Sequence, residues 1–138
     1  MSVHTFSDGA SRGNPGISAI AYLLLRDDGC LLARHAAYVG VRTNNQAEYE
    51  ALIAALEAAA ALHAQEVVCH LDSELVVKQL TGVYRVRNPI LRRLWQRAHA
   101  LTPHFRQVVF KHVARENQYL ATVDRLANQA LNRVQPNV

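Results

Sequence analysis

Asp8, Glu48, Asp72 and Asp124 are the side chains from which chemistry can be built. Only eleven residues are acidic, and these four occupy positions that globular folds ordinarily give to neutral or apolar ones. In VHTFSDGASRGNPG, Val3 to Gly16, the strand period sends Val3, Thr5 and Ser7 to one face and His4, Phe6 and Asp8 to the other. The strand is expected to end at Asp8. Gly9, Gly13 and Gly16, with Asn14-Pro15, then form a small-residue turn, and Asp-Gly alone would also fit a plain hairpin. Glu48 lies one turn from Ala51 and Leu52 on a helix whose stripe continues through Ala55, Ala59 and Leu62. It therefore projects from the face that must bury, whereas Glu50 and Glu57 lie opposite. Asp72 ends another strand, and Asp residues ending two neighbouring parallel strands share one sheet edge. Asp124 is expected at the start of the final helix. Taken singly, Asp72 and Asp124 would serve as a helix cap and a helix-dipole partner. Four converging carboxylates repel, however, and need cations to be tolerated.

Hard oxygen ligands, with no Cys or His spaced for zinc, suit Mg²⁺ or Mn²⁺. A pair of such ions about 3.5–4 Å apart activates water on one and stabilises the departing oxygen on the other, which suits phosphodiester hydrolysis.

Strands and helices along the rest of the chain set where these groups lie. Ile17 to Leu25 and Leu31 to Val39 form a hairpin around Arg26-Asp27-Asp28-Gly29. After Thr43, an Asn is expected to cap an Ala/Leu-rich helix running to His63. Glu66 to Leu71 is a strand, Ser73 to Leu80 a helix capped by Asp72 or Ser73, and Pro89 opens a helix through Leu101. Arg106 to Val113 is the fifth strand. The last helix is expected from about Thr122 to Val134, with Val123, Leu126, Ala127, Ala130 and Val134 on its apolar face. The order is βββαβααβα, an α/β fold.

Composition places the 138 residues in one compact domain, 1–138, without linker, repeat or low-complexity run. No apolar run is long enough to span a bilayer and no export signal is present, so a cytoplasmic protein without membrane contact is expected. Cys30 and Cys69 stand singly and are expected to be small buried hydrophobes. Between Leu75 and Ala114 there is no acidic residue, and this window holds Lys78, Arg85, Arg87, Arg92, Arg93, Arg97, Arg106 and Lys111, eight of the fifteen basic residues. Solvated faces kept for solubility mix both signs, so this asymmetry points to a polyanion.

With these residues in view, SDGASRGNPG at 7–16, TNNQAEYEALIAAL at 43–56, HLDSELVVKQL at 70–80, GVYRVRNPIL at 82–91 and DRLANQAL at 124–131 resemble the type 1 ribonucleases H across nearly the whole chain. The resemblance implies a ribonuclease H-like fold, a five-stranded mixed sheet flanked by helices. It also implies cleavage of the RNA strand of an RNA/DNA hybrid by two metal ions, leaving 5′-phosphate and 3′-hydroxyl ends. By the same resemblance, Asp8 bridges both ions, Glu48 and Asp72 bind one, and Asp124 binds the other. Asn14, Asn44, Asn45 and Gln79 match positions that contact the hybrid, where 2′-hydroxyls mark RNA, and Thr43 matches a DNA-phosphate contact.

Tyr84 to Asn88 resembles the family's shorter form, common in archaea and some bacteria, which lacks a long basic protrusion. Arg115-Glu116-Asn117 matches that form as well, with Arg115 in the place of a histidine that assists product release. Asp124 follows Arg115 by two residues more than that form typically shows, a length sufficient to carry Arg115 clear of the ions. His112 is the nearest histidine and is expected to be structural or solvent-facing. Double-stranded RNA is a further partner to consider, and a monomer is expected. Two other readings are a binding module that holds hybrid or double-stranded RNA without cutting, which would lack a carboxylate, and a junction resolvase, which would lack TNNQAEYE.

Overall fold

The computed structural model describes residues 1–135. Its elements are β1 (Ser2–Gly13), β2 (Gly16–Arg26), β3 (Leu31–Arg42), α1 (Asn44–Ala61), β4 (Glu66–Leu71), α2 (Glu74–Leu80), α3 (Pro89–Leu101), β5 (Gln107–His112) and α4 (Gln118–Val134), with a single 3₁₀ turn at Thr102–His104. This is the expected order βββαβααβα. The strands form one mixed sheet in the order β3-β2-β1-β4-β5. β1 is antiparallel to β2 and parallel to β4, and β4 is parallel to β5.

Strand alternation divides the core into two layers. Val3 of β1 and Val67, Cys69 and Leu71 of β4 pack with Leu52 and Leu56 of α1 on one face. Phe6 of β1 and Leu23 of β2 pack with Leu120, Val123 and Leu131 of α4 on the other. α1 lies between the sheet and α3, which is why its Ala/Leu-rich sequence buries Ala47, Tyr49, Ile53 and Leu56 as well as Ala51, Leu52, Ala55 and Ala59 of the expected stripe. Leu62, the C-cap, is exposed, as is Val134 at the end of α4, because both lie where the helix leaves the core. Among the described residues no helix is long and apolar enough to cross a membrane.

Several expected boundaries shift for physical reasons. β1 does not end at Asp8, because its small residues stay paired with β2 as far as Gly13 opposite Gly16. The cap of α1 is Thr43 rather than an Asn: the Gln46 N–H donates to its hydroxyl oxygen, and its own N–H donates to Gln46 Oε1. α2 is capped by Ser73. α4 starts four residues earlier than expected, since Asn117 Oδ1 accepts from the N–H groups of Tyr119 and Leu120. Cys69 is buried as expected, but Cys30 is exposed in the turn between β2 and β3.

Candidate active site

The parallel register between β1 and β4 ends at Phe6 opposite His70. Continued by two residues, it brings Asp8 beside Asp72 at the edge where β4 stops and β1 runs on. Glu48 arrives from the first turns of α1. Oxygen atoms of Asp8, Glu48 and Asp72 all lie within 4.8 Å of one another. Asp8 is 3% exposed and Glu48 7%.

α1 reaches this edge because residue 9 is glycine. A Cβ there would lie 2.3 Å from the Ala47 carbonyl carbon. The close approach also lets the Gly9 N–H donate to Glu48 Oε1 at 2.8 Å. Glu48 Oε2 is buried without a hydrogen-bond partner among the described residues. Gly9→Ala is therefore expected to push α1 off β1, costing about 2–3 kcal/mol. Urea unfolding would show this as a lower midpoint at unchanged slope.

Burial, reinforced by the neighbouring Glu48, Asp72 and Asp124, pushes the Asp8 carboxyl far above the usual carboxylate range. Burial also raises Glu48, against hydrogen bonds from Asp8 and Gly9 that favour its ionised form. A cation among these carboxylates would favour their ionised forms against burial and mutual repulsion. The unpartnered Glu48 oxygen and the three converging carboxylates fit an oxygen-bound divalent ion.

Asp124 lies outside that close group, although its charge acts on Asp8. It is not at the start of α4 but its seventh residue, and its Oδ1 accepts from Asn128 Nδ2 at 3.3 Å. Residues 118–123 before Asp124 belong to α4, so the connection from β5 is only residues 113–117 and Arg115 stays beside the carboxylates. Arg115 Nε lies 3.4 Å from Asp72 Oδ2. His112 Nε2 lies 3.1 Å from the Asp72 backbone oxygen, a contact that fixes the chain at Asp72 and agrees with a structural role.

Of the expected substrate contacts, Asn14 Oδ1 accepts from the Asn44 N–H at 3.0 Å and ties the β1–β2 turn to α1. The Asn44 side chain is exposed and Asn45 is half-buried. The Thr43 oxygen caps α1, and among the described residues its hydroxyl donates no hydrogen bond. Gln79 is buried, with Oε1 accepting from the Tyr49 hydroxyl at 2.7 Å and its backbone oxygen accepting from Trp95 Nε1 at 3.1 Å. Gln79 borders a cleft of about 420 Å³ that Tyr84, Arg85, Val86, Arg92 and Trp95 also line. Sequence reasoning missed Tyr49 and Trp95 as the residues that hold Gln79. A polar-tipped Tyr directly after Glu48, on a buried helix, was the available signal.

The reverse transcriptase-like family model matches residues 6–130. Ribonuclease HI of Halobacterium salinarum is 47% identical over 130 residues, which cover 94% of this chain and 64% of that protein. The chain therefore spans just under two thirds of that relative's length. The crystal structure of RNase H1 from Halobacterium salinarum NRC-1 superposes with a TM-score of 0.92 at 45% identity, covering 96% of this chain and 99% of that one. LC11-RNase H1, solved in complex with an RNA/DNA hybrid, gives a TM-score of 0.90 at 36% identity over 96% of this chain and 98% of that one. The chain belongs to the type 1 ribonuclease H family.

Proposed function

We propose that this protein is an endoribonuclease that hydrolyses the RNA strand of RNA/DNA hybrids, leaving 5′-phosphate and 3′-hydroxyl ends. The observation that carries this reading is the buried group of Asp8, Glu48 and Asp72 at the parallel edge of the sheet. Membership of the family and the hybrid-bound relative supply the substrate. Residues 1–138 are read as one nuclease domain, of which 136–138 lie outside the described residues.

Asp8, Glu48 and Asp72 would hold Mg²⁺ or Mn²⁺, and Asp124 would complete the ligands for a second ion. When bound, such ions lower the pKa of water and stabilise the departing oxygen. The chain's own work is placement. Gly9 fixes one oxygen of Glu48 and leaves the other free. Thr43 keeps a proton to donate to a DNA phosphate, and Gln79 keeps amide protons for the hybrid groove. Asn14 holds the backbone beside Asn44 and Asn45, whose carboxamides face substrate. Arg85, Arg87, Arg92, Arg93 and Arg97 are exposed and form no ion pair among the described residues, so they remain available to phosphates.

Arg115 would neutralise the scissile phosphate with a charge fixed at any working pH. Arg115→Ala is expected to lower turnover by tenfold or more, about 1.4 kcal/mol of barrier, with little change in hybrid affinity. His112→Ala should cost much less. Steady-state kinetics on both variants check this, and a crippled His112→Ala beside a normal Arg115→Ala would reverse the assignment.

Single-turnover rates on matched hybrid, double-stranded RNA and double-stranded DNA test the function itself. Hybrid should be cut fastest, with double-stranded RNA slower and DNA untouched. Binding of hybrid without cutting would leave only a binding module, and cutting confined to branched DNA would favour a resolvase.

A further inference from the structure

Among the described residues, Arg115 is the one cation in ion-pair contact with the carboxylate group. It comes from residues 113–117, a short connection closed by the Asn117 N–H donating to the Ala114 oxygen at 3.0 Å. The guanidinium side chain is 76% exposed, whereas the Asp72 side chain is 15% exposed. The cation therefore enters the group from the solvent side and can withdraw without disturbing the core. Its charge extends beyond Asp72 and favours ionised Glu48 as well.

Resting on the reading of Asp8, Glu48 and Asp72 as metal ligands, we propose that Arg115 is a tethered cation that competes with the divalent ion for Asp72. It thereby sets the ion concentration at which the site fills. Clustered carboxylates need positive charge nearby, and a permanently charged side chain held on a short loop supplies it at high effective concentration. An ion arriving at Asp72 meets that charge first. An exposed guanidinium–carboxylate pair is weak, so a doubly charged ion bound by several oxygens displaces it once its concentration suffices. Arg115 then becomes available to a phosphate at the same rim. One side chain would serve the carboxylate before the ion binds and the substrate afterwards.

Titration of Mn²⁺ into the full chain at low salt, followed by the paramagnetic signal of free Mn²⁺, tests this without any turnover. Arg115→Gln should bind Mn²⁺ about three- to tenfold more tightly than wild type, as expected for removal of a like charge near the ion. Arg115→Lys should stay close to wild type. Adding KCl to about 0.5 M should narrow the gap between Gln variant and wild type, because exposed charges are screened. Arg115 is exposed, so the variants should fold, which circular dichroism would check. Equal or weaker Mn²⁺ binding by Arg115→Gln would overturn the competition while leaving the ligand assignment intact. No Mn²⁺ binding by any of the three proteins would overturn the ligand assignment and the competition with it.

Discussion

Replacing Asp8 by Asn is expected to lower hydrolysis of a hybrid by about 10³-fold or more, roughly 4 kcal/mol of barrier, while leaving the fold intact or firmer. The loss follows from the position of Asp8 between Glu48 and Asp72, where one neutral amide removes a charged ligand from every ion the group could hold. The gain follows from its pKa. Burial and three neighbouring acids raise the folded value well above the ordinary 3.8. A group shifted upwards stabilises the fold fully below its unfolded pKa, and that contribution is lost as pH rises above it. In the absence of divalent ions, wild type should thus trail Asp8→Asn by about 1–3 kcal/mol near neutral pH. The gap should close as pH falls towards 4. Thermal unfolding at several pH values reads the stability, and near wild-type turnover by the variant with Mg²⁺ would defeat the ligand role.

The second large effect is on binding. Hybrid affinity should fall by about 10²-fold or more between roughly 50 and 200 mM salt, because each phosphate neutralised by Lys or Arg releases counterions. Arg85, Arg87, Arg92, Arg93 and Arg97 carry this expectation, being exposed and unpaired among the described residues. Replacing Arg92 and Arg93 together by Gln should weaken binding and reduce the slope of log affinity against log salt by about two. Fluorescence anisotropy over a salt series measures both. An affinity indifferent to salt would show that these side chains form only a solvated face.

The carboxylate group was legible in one dimension because each member obeys a local period. Asp8 and Asp72 follow strand alternation, and Glu48 falls on the buried stripe of α1, so their meeting required only that β1 and β4 be parallel neighbours. Boundaries were less legible where several residues could do the same job. Thr43, Asn44 and Asn45 can all cap a helix, and the reciprocal pair with Gln46 decided for Thr43. Asn117 likewise captured four residues that read as loop, although Leu120 stands three positions before Val123 and continues its buried face. The small residues after Asp8 looked like a turn because their pairing with β2 is a tertiary fact. Cys30 sits beside an apolar run, but the preceding Asp27-Asp28-Gly29 turn leaves it in solvent. The hold of Tyr49 and Trp95 on Gln79 joins three helices, and no local period encodes it. Arg115 lies against Asp72 because Gln118 to Val123 are helical, which keeps the connection from β5 short.

The most direct measurement is digestion of a hybrid labelled separately on its RNA and its DNA strand, with the product ends mapped. With Mg²⁺ or Mn²⁺, wild type should cut the RNA strand internally and leave 5′-phosphate and 3′-hydroxyl ends, and a chelator or Asp8→Asn should stop it. Cleavage of the DNA strand, the opposite end chemistry, or undiminished cutting in the presence of chelator would contradict a carboxylate-held metal centre acting on RNA.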